Sequence, residues 1–152
     1  MKPYSDTNFF TRSYLGLPGS EIVEFHFDLA KSTGPMPVSW LHRLEFANSL
    51  ELLVFETRKG GQYRISPESA AAAHALFEEH LQKGKIIHEV ILPYLTVTER
   101  CHQIILRHTA KHGFRTYDCL HVAAALTLKC DTFWSLDKGA LQLAKLEGLL
   151  TN

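Results

Sequence analysis

The chain has 152 residues, 45% of them hydrophobic and 21% charged, the size and make-up of one globular domain with a substantial core. Lys+Arg and Asp+Glu balance at 16 each. No global field attracts polyanions, which counts against a simple DNA-coating protein but leaves room for a local basic rim around an acidic pocket. No apolar run approaches the ~20 residues a membrane span needs. The N-terminus shows no h-region followed by a cleavage site, so no signal peptide is expected. Cys101, Cys119 and Cys130 are an odd number without CxxC spacing, which fits a reducing cytoplasm better than a disulfide framework.

In chain order, "KPYS" reads as a short strand and "DTNFFTRSYL" as a short helix. Ser20 can cap "EIVEFHFDLAKS", where Ile22, Phe25 and Leu29 form a stripe at helical spacing. "PMPVSW" is a second short strand, and "LHRLEFANSLELLVFETRKGG" a long helix closed by Gly60 and Gly61. Ser66-Pro67-Glu68 is a helix start, with a cap, Pro at the first position and an acid in the first turn. That helix runs to about Lys83-Gly84. "IIHEVILP" has strand character. Thr96 or Thr98 caps "ERCHQIILRHTAKH", which stops at Gly113. "RTYDCLHVAAAL" is the next helix, "DTFWSL" a strand, "DKGALQLAKLEG" a last helix and "LL" a terminal strand. Short strands alternating with helices predict an α/β fold with helices dominant.

Four acids recur at chemically suggestive places. Asp118 lies in the first turn of a helix that is apolar all round and therefore expected inside the protein, with His121 three residues on, on the same side. Asp6 and Asp137 each directly follow a strand, where α/β sheets bind ligands. Glu45 sits in the long helix beside His42, Asn48 and Ser49. Each has a plainer reading. Asp118 complements the helix dipole, Asp6 and Asp137 cap helices, and Glu45 is an exposed salt-bridging side chain. Jointly they point to a metal, because clustered carboxylates cannot all ionise cheaply without a cation among them. Oxygen-only ligands favour Mg²⁺ or Mn²⁺.

"YSDTNFF", "WLHRLEFANSLEL", "RTYDCLHVAAAL" and "TFWSLDKGALQLAKLEGL" resemble, in that order, the motifs of PIN-domain ribonucleases, among them the VapC-type toxins of type II toxin–antitoxin systems. The resemblance spans nearly the whole chain as a single domain, 1–152, with no motif from about Gly60 to Pro93. It implies a three-layer α/β/α fold around a central parallel sheet of four or five short strands. It also implies an endoribonuclease dependent on Mg²⁺ or Mn²⁺, cutting RNA phosphodiesters by in-line hydrolysis to a 5′-phosphate and a 3′-hydroxyl. Asp6, Glu45 and Asp118 would be core metal ligands and Asp137 a ligand or a nearby acid acting through water. Thr7, Asn8 and Ser135 match small polar positions that orient a carboxylate or water, and His121 would lie beside the site as a hydrogen-bonded histidine. The partners implied are RNA and a cognate antitoxin, and many relatives form homodimers. Phe25, Phe27, Leu53 and Phe55 are apolar enough to contribute to such a surface, although core packing accounts for them equally well.

Setting the four acids aside leaves 16 basic residues against 12 acidic ones, a mildly positive remainder compatible with RNA approach. Arg12, Arg43 and Arg115, with Arg58 and Lys59, are candidates for phosphate contact. Three other readings compete. Cys101, His108 and His112 share roughly one helix face and could hold zinc, although no fourth ligand is evident. A phospho-aspartate phosphatase needs a second Asp where Asn8 stands. A PIN fold retained as a binding scaffold would carry the same pattern without turnover, and a housekeeping RNA-processing nuclease would look like a toxin.

Overall fold

A computed structural model describes residues 1–152, with the side chains of His26, Ala30 and Lys31 outside the description. The architecture is mixed α/β with parallel strand pairing throughout. It divides into two compact units, one formed by Met1–Asp6 with Ile91–Asn152 and the other by Thr7–Val90.

The first unit is built on a three-stranded sheet in the order β1-β4-β5. The strands are β1 (Pro3–Ser5), β4 (Thr132–Trp134) and β5 (Leu150–Thr151). Tyr4 lies beside Phe133, and Phe133 beside Thr151. On the sheet pack α6 (Thr116–Thr127) and α7 (Lys138–Leu146), and α5 (Tyr94–His112) packs on α6. Every β1 and β4 residue is buried, as expected of parallel strands covered on both faces. Cys119 and the run Val122–Ala125 in α6 are fully buried, so the helix read as apolar all round is an interior helix. Its small side chains let it pack against α5, α7 and β4.

The second unit holds α1 (Thr7–Leu15), α2 (Ser20–Lys31), β2 (Met36–Val38), α3 (Trp40–Arg58), α4 (Pro67–Lys83) and β3 (Ile87–Glu89). β2 and β3 form a two-stranded parallel sheet. The four or five strands expected in one sheet are thus five strands in two sheets. The core is aromatic. Phe46 stacks on Phe77 with centroids 4.4 Å apart, and Phe10 and Tyr14 meet Phe77 edge-on.

Local signals explain most helix ends. Ser66 Oγ accepts from Ser69 N–H, with Pro67 at the first position of α4. Gly84 and Gly113 close α4 and α5 in the left-handed conformation that glycine adopts without strain. The apolar stripe of α2 turns outward, and one expected helix start fails. Ile22, Phe25 and Leu29, read as one apolar stripe, are exposed in α2, while Val23 is fully buried and Phe27 meets Phe10. Among the described residues of α2, Val23 and Phe27, at i and i+4, point inward. Helix α5 begins at Tyr94 after Pro93, not at Thr96 or Thr98. Thr98 Oγ1 instead donates back to the Tyr94 carbonyl, inside the helix.

Candidate metal and nuclease site

In the first unit, the carboxyl ends of the adjacent parallel strands β1 and β4 carry two of the candidate acids, Asp6 and Asp137. Asp6 directly follows β1 and its backbone N–H donates to the Trp134 carbonyl at 3.0 Å, extending the ladder by one bond. Ser135 directly follows β4 and is fully buried. Its hydroxyl donates to Asp6 Oδ2 at 2.5 Å and accepts from the Asp137 backbone N–H at 2.9 Å. One serine therefore fixes both the Asp6 carboxylate and the backbone of Asp137. The Ser135 backbone is itself clamped by Asn152, whose side chain accepts from Ser135 N–H at 3.0 Å and donates to its carbonyl at 3.1 Å.

Asp137 is the N-cap of α7, and its Oδ1 accepts from the N–H groups of Gly139 at 2.7 Å and Ala140 at 3.0 Å. The Ala140 bond, with Arg115 nearby, holds its carboxyl below the usual aspartate range. The capping role is real, but it employs only one oxygen. Oδ2 accepts from Arg115 Nη2 at 2.9 Å. The same guanidinium donates to Asp118 Oδ2 through Nε at 3.0 Å and to Oδ1 through Nη2 at 3.3 Å. Bonding and attraction to Asp118, and attraction to Asp137, raise the Arg115 pKa above its ordinary value. A continuous run of hydrogen bonds thus joins Asp6, Ser135, Asp137, Arg115 and Asp118.

His121, one turn along α6 from Asp118, is buried, and its Nδ1 pairs with the Tyr4 hydroxyl at 2.8 Å. In the second unit, Glu45 Oε2 accepts from Thr7 Oγ1 at 2.7 Å, while His42 is fully buried with Nδ1 accepting from Ser39 N–H at the start of α3. Asn8 is exposed in α1. Arg43, expected to face phosphate, is bound to Glu78 at 2.9 Å and Glu89 at 3.0 Å, and Arg12 donates to the Pro18 carbonyl.

The three acids of the first unit offer only carboxylate oxygens, a hard donor set suited to Mg²⁺ or Mn²⁺. As the side chains stand, no three His, Cys, Asp or Glu groups among the described residues gather closely enough to hold an ion, and the Arg115 guanidinium stands between Asp118 and Asp137. The zinc alternative finds no convergence either. His108 Nε2 pairs with Glu147 at 2.7 Å, His112 stacks on Phe114, and Cys101 is buried. Sequence reading missed Arg115 as a bridge and Asn152 as a clamp. The i, i+3 spacing of Arg115 and Asp118 was a usable signal for the first, whereas the second depends on a long-range contact.

No family model matches the chain, and no curated protein matches it. Solved structures do. Over 100% of this chain and 98% of the other, the fold is similar to a chain in the crystal structure of VapBC2 from Rickettsia felis bound to a DNA fragment from their promoter, with a TM-score of 0.67 and 10% sequence identity. At that identity the likeness concerns the fold alone, which is similar to the PIN fold that the motif resemblance implies.

Proposed function

We propose that this protein is a Mg²⁺- or Mn²⁺-dependent endoribonuclease and serves as the toxin half of a type II toxin–antitoxin pair. The observation that carries the reading is the hydrogen-bonded run from Asp6 through Ser135, Asp137 and Arg115 to Asp118. Carboxylates at adjacent parallel strand ends and at a buried helix start are where an α/β fold binds ligands. Asp6, Asp118 and Asp137 would hold the cation, and Glu45 is the fourth acid by resemblance. When bound, a divalent cation supplies a more acidic water and polarises the phosphodiester for in-line hydrolysis.

The chain's own residues prepare for this. Ser135 orients Asp6, and Asn152 fixes Ser135. Thr7 holds one oxygen of Glu45. The α7 cap fixes Asp137 Oδ1 and leaves Oδ2 directed at Arg115. The products would be a 5′-phosphate and a 3′-hydroxyl. Three buried free cysteines suit a reducing cytoplasm, and among the described residues no helix is long and apolar enough to cross a membrane. An antitoxin would offer a basic side chain to the acids, and a homodimer would use the exposed apolar side chains of α2 and Phe55.

Incubation of a mixed RNA pool with purified protein tests the reading. Cleavage should require Mg²⁺ or Mn²⁺, stop with EDTA and return when metal is restored, with 5′-phosphate ends. Cleavage that survives EDTA, or leaves 2′,3′-cyclic phosphates, would sink it.

A further inference from the structure

The Arg115 side chain is 68% exposed, yet its three short bonds all go to acids of the candidate site. Asp118 and Asp137 are far less exposed, at 14% and 32%. Arg115 precedes α6 at its N-cap position and makes no side-chain cap bond there, so helix capping does not explain its placement. The guanidinium fork instead engages both oxygens of Asp118 and the one Asp137 oxygen that the α7 cap leaves over. A guanidinium and a divalent cation draw on the same carboxylate oxygens, and an oxygen cannot serve both partners at full strength.

We propose that Arg115 is an internal competitor for the metal ligands: it satisfies Asp118 and Asp137 itself, and must release them for a divalent cation to bind. The inference rests on the metal-site reading above. Its consequence is a site kept in order by a protein cation and turned over to Mg²⁺ or Mn²⁺ only when that ion is abundant enough to displace the guanidinium. The exposed position of Arg115 gives the displaced side chain open solvent to move into. Its new place would then be available to an RNA phosphate.

Titration calorimetry with Mn²⁺ on wild type, Arg115→Gln and Arg115→Lys separates the possibilities without reference to activity. Partly exposed ion pairs are individually weak, so Arg115→Gln should bind Mn²⁺ about three- to tenfold more tightly than wild type. Arg115→Lys keeps the charge but loses the fork, and should fall between them. A lysine variant equal to wild type, with only the glutamine variant tighter, would reduce Arg115 to a general charge effect and overturn direct competition. Weaker binding in Arg115→Gln would make Arg115 an organiser of the site and also overturn it. If none of the three proteins binds Mn²⁺ while all are folded, the metal-site reading itself fails.

Discussion

The two units spend their interiors differently. In Thr7–Val90 the core is a set of rings, with Phe46 stacked on Phe77 and Phe10 and Tyr14 packed edge-on to Phe77. Its charged groups close on one another, as Arg43 does with Glu78 and Glu89. In the unit formed by Met1–Asp6 and Ile91–Asn152, the central helix is lined with alanines and valine. A hydrogen-bonded run leads from Asp6 at the end of β1 through the α7 N-cap to Asp118 in α6. Large rings supply burial and well-defined packing, whereas the acids of the candidate site hold their charges around a shared guanidinium. Under the proposed function, substitutions in the ring cluster should act on stability and substitutions among the acids on activity.

The sharpest way to break that comparison is Phe77→Ala. Removing a buried aromatic ring should cost about 3–5 kcal/mol, read as a lowered denaturation midpoint. Asp118→Asn, by contrast, should cost less than about 1 kcal/mol, since it removes a helix-end charge and a partly exposed ion pair. Similar losses in the two variants would refute the division. Next in size is Tyr4→Phe in the first unit. It deletes the buried bond to His121 and should cost about 1 kcal/mol. An unchanged melting temperature would mean that the histidine is satisfied without the tyrosine.

Asp137 has both roles, and two variants should pull them apart. Asp137→Ala removes the cap of α7 and should cost about 1 kcal/mol. Asp137→Asn keeps a good capping oxygen and should retain most of that stability while weakening Mn²⁺ binding. If asparagine destabilises as much as alanine, the charge and not the cap holds α7. The smallest expected effect is a pH dependence from the same residue. Its folded carboxyl lies below the ordinary aspartate value, chiefly because Ala140 N–H bonds it. Its contribution is therefore fully present above the unfolded value of about 3.9 and lost as pH falls through the lower folded value. The acid limb of a stability–pH curve should flatten in Asp137→Asn, and an identical limb would deny Asp137 that role.

How legible this was in the sequence depended on range. Ser66-Pro67, Gly84 and Gly113 act on their own neighbours, and the helices begin or end where those residues stand. Ile22, Phe25 and Leu29 form as good a periodic stripe as Val23 and Phe27, and only tertiary packing decides which of them faces inward. The start of α5 was misread because a threonine hydroxyl can bond backward to a carbonyl as readily as it can cap. The strands are two or three residues long, too short for a pattern to fix their partners, so the split into two sheets could not be foreseen. Asp6 and Asp137 could be picked out as acids following strands. That one serine would tie them together, and one arginine would tie Asp137 to Asp118, depends on contacts between residues far apart in sequence.

The most direct test of the central claim compares RNA cleavage by wild type and Asp118→Asn, each shown to be folded, at equal Mn²⁺ concentration. The account predicts cleavage by wild type and its loss, by about a hundredfold or more, in the variant, as expected for removal of a group that stabilises charge at the reacting centre. Equal cleavage by both proteins would contradict it.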